Sequence, residues 1–147
     1  MNKDVLEKIK KWSEDKTQPK GLSDATINDV SNYCKEHFGA ELPQGYKDFL
    51  QTMNGFIFDD YSIFCCYNAD IKENFPAYAS MDLVTFNTRF YDFTDITDYI
   101  MLGKSSLDYI GYIKDKNKYV IMTNGVMRHI GEFDSFEDMI IEFLNLS

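Results

Sequence analysis

The side chains whose types and spacing could do chemistry are a cysteine–histidine pair, a second histidine and several closely spaced aspartates. Cys34 and His37 stand three residues apart. On a helix that spacing brings both to one face, as half a metal site or as a nucleophile beside a base. The same spacing describes a half-buried thiol next to a solvent-facing imidazole, the commoner arrangement. His129 follows Arg128 in an expected strand next to a hairpin, where a surface role fits. Gly-x-Ser-x-Gly, His-Glu-x-x-His and Cys-x-x-Cys are all absent. Gly103-Lys104-Ser105 imitates the end of a phosphate-binding loop, but Asp98 stands where that loop needs its first glycine. Asp59-Asp60 and the series Asp92, Asp95, Asp98 supply paired carboxylates of the kind glycosidases use. A calcium loop needs a central glycine and a closing glutamate, and the aspartate series has no glycine between its members. No catalytic residue, metal ligand or cofactor is therefore assigned. The aspartates read either as solvated loops or as an acidic contact surface for a basic protein. The interspersed Tyr61, Tyr67, Tyr91, Tyr99 and Tyr109 favour contact, because tyrosine is enriched at interfaces.

The elements that must position these residues follow from periodicity. Val5, Ile9 and Trp12 predict a helix from Lys3 to Asp15, broken by Pro19 and Gly21. Ser23 is the expected N-cap of the next, with Leu22 and Ile27 as a hydrophobic staple. Ile27, Val30, Cys34 and Phe38 form its apolar stripe, and Gly39 stops it. Pro43 suits the first turn of a third helix carrying Tyr46, Phe49, Leu50 and Met53, with Asn54-Gly55 as a left-handed C-cap. A hairpin of Phe56–Phe58 and Tyr61–Tyr67 follows, turning at Asp59-Asp60. From Asp70 to Ala79 the pattern is mixed. Ser80 then caps a helix in which Leu83, Phe86, Asn87 and Phe90 share a face. Strands are predicted at Ile100–Leu102, Leu107–Ile113, Tyr119–Thr123 and Val126–Ile130. Asn124-Gly125 is read as a type I′ turn between the last two. Asp134-Ser135-Phe136-Glu137 resembles a capping box opening a last helix, whose apolar face is Phe136, Met139, Ile140, Phe143 and Leu144. Helices, then antiparallel strands, then a helix describe an α+β fold.

Composition bounds what such a fold can do. The 147 residues suit one domain, 1–147, with a core that needs no metal or disulfide staple. Twelve Phe and ten Tyr exclude a disordered chain. With 24 acidic against 15 basic residues the formal charge is −9. A field of that sign repels nucleic acid and attracts a cationic partner. Three cysteines, Cys34, Cys65 and Cys66, make no disulfide framework, and neighbours on a strand point to opposite faces. No window reaches about 18 uninterrupted apolar residues, so no membrane span is expected. With no signal-like N-terminus, a cytoplasmic location is the expectation.

Leu42-Pro43, Tyr46, Phe49-Leu50 and Asn54-Gly55 together resemble the helix signature of the SUKH superfamily and, within it, the YrhA-like subgroup. Gly103 at a strand end, and Phe136 in the segment leading to the last helix, resemble that family's closing segment. The similarity spans roughly residues 22 to 145, leaving 1–20 as an N-terminal helix and linker. The resemblance implies N-terminal helices, a curved, mostly antiparallel sheet with a groove, and a C-terminal helix. It also implies a non-enzymatic protein-binding role. Bacterial members are mostly immunity proteins that neutralise a cognate toxin, and fungal members are signalling scaffolds. A nuclease-like toxin domain is usually basic, which the charge of −9 would suit.

The expected contact residues are Asp59, Asp60 and Tyr61 in the first hairpin loop. To these are added Tyr91, Asp92, Asp95 and Asp98 in the connection, and Asp108 and Tyr109 on a strand. Two other readings stand beside this one: a regulatory scaffold binding an endogenous protein, and a small-molecule binder or enzyme using the groove of the sheet.

Overall fold

The computed structural model describes residues 2–12 and 17–146, with the backbone alone for Trp12. The first helix, α1, runs Lys3–Trp12 and buries Val5 and Ile9 in the main core. Its expected continuation through Asp15, and the Trp12 side chain, lie outside the described residues. α2, Asp24–Phe38, is capped by Ser23, which accepts the Thr26 N–H at 3.3 Å, and ends at a left-handed Gly39. The predicted stripe is buried at Ile27, Cys34 and Phe38, with Val30 half-buried. α3, Gln44–Thr52, begins one residue after Pro43, which serves as its N-cap instead of its first turn.

The end of α3 corrects the sequence reading. Its C-cap is Met53 in extended conformation, and Asn54-Gly55 is no left-handed cap. Asn54 is buried and uses its amide as a strand would use its backbone. Its Nδ2 donates to Cys66 O at 2.8 Å, and its Oδ1 accepts the Cys66 N–H at 2.7 Å. Gly55 takes φ +93°, and a Cβ there would lie 2.7 Å from Cys65 Cβ. Both residues are thus dictated by the close passage of Cys65-Cys66, not by helix termination.

A short hairpin follows, β1 (Phe56–Phe58) and β2 (Tyr61–Ile63). The second strand stops well before the expected Tyr67. Cys65 leaves the sheet to bridge Asp82 in parallel, its N–H donating to Met81 O and its carbonyl accepting from Leu83 N. The region of mixed pattern becomes α4, Ala69–Asn74, and a 3-10 turn over Pro76–Met81. α5, Leu83–Thr94, is capped by Asp82, not Ser80: the Asp82 carboxylate accepts the Thr85 N–H and hydroxyl, both at 2.9 Å.

Four longer strands complete the sheet: β3 (Tyr99–Lys104), β4 (Asp108–Ile113), β5 (Lys118–Thr123) and β6 (His129–Phe133). The six strands pair antiparallel in sequence order and the sheet does not close, so the α+β expectation holds. The last hairpin departs from the two-residue type I′ turn. Its connection runs from Asn124 to Arg128, with positive φ at Gly125 and Met127, and the Thr123 N–H returns to Arg128 O. β6 consequently starts three residues later than expected. α6, Phe136–Phe143, is capped by Ser135 and not by Asp134 at the head of the expected capping box: Ser135 accepts the Asp138 N–H at 3.1 Å, and Glu137 accepts the Asn2 N–H instead.

Strand alternation sorts the core into two faces. Tyr112 pairs with Tyr119, and Tyr119 with Phe133, so these share one face. There Phe136 of α6 meets Tyr119, Tyr46 and Phe49 at ring distances of 5.8, 5.9 and 5.6 Å. The Tyr46 hydroxyl, fully buried, donates to Phe64 O at 2.6 Å. The other face carries Tyr109, against which Phe86 and Phe90 of α5 pack. Asn87, also fully buried, spans from α5 to β3 and satisfies both the N–H and the carbonyl of Met101, beside a bulge at Met101/Gly103. Gly103 allows β2 to approach, since a Cβ would lie 2.3 Å from Ser62 O.

Candidate functional site

Three hairpin tips meet at one end of the sheet. The β1–β2 tip is Asp59-Asp60, with Asp59 in left-handed conformation and both side chains exposed. The β3–β4 tip is Ser105-Ser106-Leu107, and the β5–β6 tip begins at Asn124. Specific hydrogen bonds tie them together. Ser106 donates its N–H and its hydroxyl to Asp60 Oδ2, at 3.1 and 2.5 Å. Asn124 N donates to Leu107 O at 2.9 Å. The second tip also holds itself, since the buried Ser105 hydroxyl accepts the N–H groups of Leu107 and Asp108.

This end combines acid with uncovered apolar surface. Leu107, on the tip bonded to Asp60, is 75% exposed, and Val126, on the tip bonded in turn to Leu107, is 80% exposed. Tyr61 is half-buried, its ring edge-on to Phe143 of α6 at 5.2 Å. Surroundings push two of the carboxyls in opposite directions. The Ser106 hydroxyl and amide hold Asp60 below its ordinary value of 3.8, whereas partial burial raises Asp108 at the start of β4.

The expected contact residues therefore do not form one surface. Asp59, Asp60, Tyr61 and Asp108 gather at the hairpin-tip end. Asp92, Asp95 and Asp98 lie at the opposite end, where α5 finishes and β3 begins. The six residues of β3 set these groups apart by about 17 Å along the strand. Asp92 and Tyr91 belong to α5 itself, not to the connection after it. Tyr91 is a packing residue, edge-on to Phe38 and donating to Tyr99 O at 2.6 Å, with Lys114 Nζ 5.2 Å from its ring centre. Lys114 donates to Phe38 O at 2.6 Å, so that cation is already engaged. Tyr109 faces α5 and not the tips.

The histidines resolve differently from one another. Cys34 is buried, its thiol pushed up to about 12 by burial and secondarily by Asp82, while His37 is exposed and stacked on Tyr33. They do not share an environment. His129 stands in a hydrogen-bonded chain that local spacing gave no reason to expect. Tyr99 Oη lies 2.6 Å from His129 Nε2, and His129 Nδ1 lies 3.2 Å from Glu132 Oε2. Burial, then Asp98, Glu132 and Asp115, raise the Tyr99 phenol, so it remains protonated and donates to Nε2. Nδ1–H is then free to donate to Glu132. Two strands separate β3 from β6, so this contact requires the sheet to curl over its own face. This hydrogen-bonded chain ties β3 to β6 through side chains alone. Among the described residues, no group of three or more His, Cys, Asp or Glu side chains is arranged to hold a metal ion. No described helix is long and apolar enough to cross a membrane.

No family model matches this chain, and no curated protein matches it in sequence. Among solved structures it is similar to a protein from Pseudomonas syringae pv. tomato, with a TM-score of 0.63 and 14% sequence identity over 92% of each chain. At that identity, the likeness establishes a shared fold.

Proposed function

We propose that this chain is a non-enzymatic protein-binding domain that meets its partner with the hairpin-tip end of the sheet. More specifically, it acts as an immunity protein of the SUKH type, neutralising a basic toxin domain. The observation that carries the reading is the pairing of Asp59 and Asp60 with the exposed Leu107 and Val126, on tips cross-linked through Asp60–Ser106 and Leu107–Asn124. Apolar anchors beside fixed charges are what a specific interface needs, and preorganised tips lose little entropy on binding. The net charge of −9 would speed encounter with a cationic partner. The Leu42-Pro43 to Asn54-Gly55 resemblance supports the toxin-directed form of the proposal.

The test is coexpression with the product of the neighbouring gene, reading suppression of toxicity and copurification. Reversing Asp59 and Asp60 together to lysine is expected to weaken the complex by about tenfold to a hundredfold and to flatten its salt dependence. Unchanged affinity and salt response would remove the first hairpin from the interface. A neighbour that is neither toxic nor bound would remove the immunity reading.

A further inference from the structure

The other face of the sheet holds a cleft of opposite character. It lies between α5 and the end of the β3–β4 hairpin, with a volume of about 360 Å³. Along α5, Phe86, Arg89, Phe90 and Phe93 follow at i, i+3, i+4 and i+7, so one helix face supplies three rings and a guanidinium. Across from them stand Lys104 at the end of β3 and Tyr109, its partner in register on β4. Arg89 is one of two arginines in the chain. Neither Arg89 nor Lys104 forms an ion pair with any described residue, although acids outnumber bases 24 to 15. Phe93 at the cleft is 84% exposed, an apolar ring left in water.

We infer that this cleft is a binding site for a small aromatic organic anion, a carboxylate or sulfonate borne on a ring system. The exposed ring of Phe93 would cover the aromatic body on a floor formed by the packed rings of Phe86, Phe90 and Tyr109, and Arg89 with Lys104 would take the acidic group. The volume suits one such molecule, since small-ligand sites run to about 300–1,000 Å³. The walls choose the class. Aromatic faces reward a flat apolar body, and two uncompensated cations select against a neutral or cationic one. Against a chain with 24 acidic and 15 basic residues, two cations beside apolar rings set this cleft apart from the average surface. The site is independent of the protein-binding proposal, for neither Asp59 nor Asp60 lines it.

Fluorescence titration with anilinonaphthalene sulfonate, and with neutral N-phenylnaphthylamine as the uncharged comparison, tests the assignment on the intact chain. The folded protein is expected to bind the sulfonate at one site. Arg89→Gln and Lys104→Gln should each weaken that binding by about tenfold, while changing the neutral probe by less than about twofold. Phe93→Ala should weaken both probes. Arg89→Lys, which keeps the charge, should retain most of the affinity, and Lys35→Gln on α2 should change nothing. Thermal unfolding of each variant checks that it folds, and Arg89 is exposed enough for substitution to leave the core intact. No saturable sulfonate binding to the wild type would overturn the inference. So would equal binding by Arg89→Gln and Lys104→Gln, or a loss in Lys35→Gln as large as theirs.

Discussion

Replacing Asn54 by alanine is expected to destabilise the fold by about 2–6 kcal/mol. The magnitude follows from what the amide holds. Two hydrogen bonds, 2.8 and 2.7 Å long, join it to the carbonyl and the N–H of Cys66, and both residues are buried. Removing it leaves two backbone groups unpaired out of reach of water, at about 1–3 kcal/mol each. Domains are stable by only about 5–15 kcal/mol, so the change should be a large fraction of the total. Urea unfolding followed by circular dichroism would read it as a lower midpoint at unchanged slope. Asn54→Asp refines the test. Its carboxylate can still accept the Cys66 N–H but sets a second oxygen against the Cys66 carbonyl. Protonation would restore a donor to that carbonyl, so the deficit of Asn54→Asp should shrink as pH falls while that of alanine stays constant. A loss below about 1 kcal/mol for alanine, or two deficits that run parallel across pH, would refute the view that this side chain acts as a strand partner.

Gly55→Ala is expected to cost at least about 2 kcal/mol, because φ is +93° and the new Cβ would press on Cys65 Cβ at 2.7 Å; unfolding midpoints measure it. Asp60 binds its proton less readily in the folded state than its ordinary value of 3.8, so its contribution to stability is complete above that pH and disappears as pH falls below it. Ser106→Ala should therefore lower stability at neutral pH, leave it almost unchanged at low pH where Asp60 is protonated, and so flatten the acid limb of the stability–pH curve. The three cysteines are buried and unpaired, with Cys34 and Cys65 pushed to about 12 and Cys66 higher still, first by burial and then by Asp82. A thiol reagent at pH 8 should label none of them before unfolding, at a rate that follows opening of the fold. Tyr99→Phe should lower stability by about 0.5–1.5 kcal/mol through loss of its bond to His129, and fast amide exchange along β6 would reveal the loosened strand.

The parts of this fold that were readable in the sequence are those set by neighbours along the chain. Ser23 and Gly39 cap α2 through bonds spanning a few residues, and the stripes of α2, α3 and α6 are periodicities within one turn or two. Asn54-Gly55 has the composition of a helix stop, but its conformation is fixed by Cys65-Cys66, about a dozen residues on. Ser80 and Asp82 are both credible caps by type. Asp82 is the one used because the bridge to Cys65 sets where the helix can start, while its other oxygen accepts the Tyr67 N–H at 2.8 Å. The same bridge explains why β2 ends early, since Cys65 takes its partners from Met81 and Leu83 and not from the sheet. At Asn124-Gly125 the local turn preference gives way to a longer connection, whose first N–H is committed to Leu107 on the neighbouring tip.

For function, sequence gave the kinds of residue but not their distribution, and the distribution changes the argument. An excess of acid averages over the surface, whereas recognition depends on which charges stand beside which apolar groups. Asp60 acquires meaning from Leu107, which no spacing rule places near it; the Ser106 hydrogen bonds join their two tips, and the Asn124 bond adds the tip of Val126 beyond them. Asp92, Asp95 and Asp98 lack that company and lie a full strand away. Tyr91 and Tyr109, counted as interface residues by type, are held by Phe38 and by Phe86 and Phe90. The sequence reading gave α5 a face of Leu83, Phe86, Asn87 and Phe90, and the neighbouring Arg89 and Phe93 went unmarked under a net charge of −9. Two surfaces of opposite sign on one small sheet can be separated experimentally: salt and charge reversal at Asp59 and Asp60 should act on a protein partner alone, and Arg89→Gln on a small anion alone. Loss of both activities in either variant would mean that the two surfaces are one.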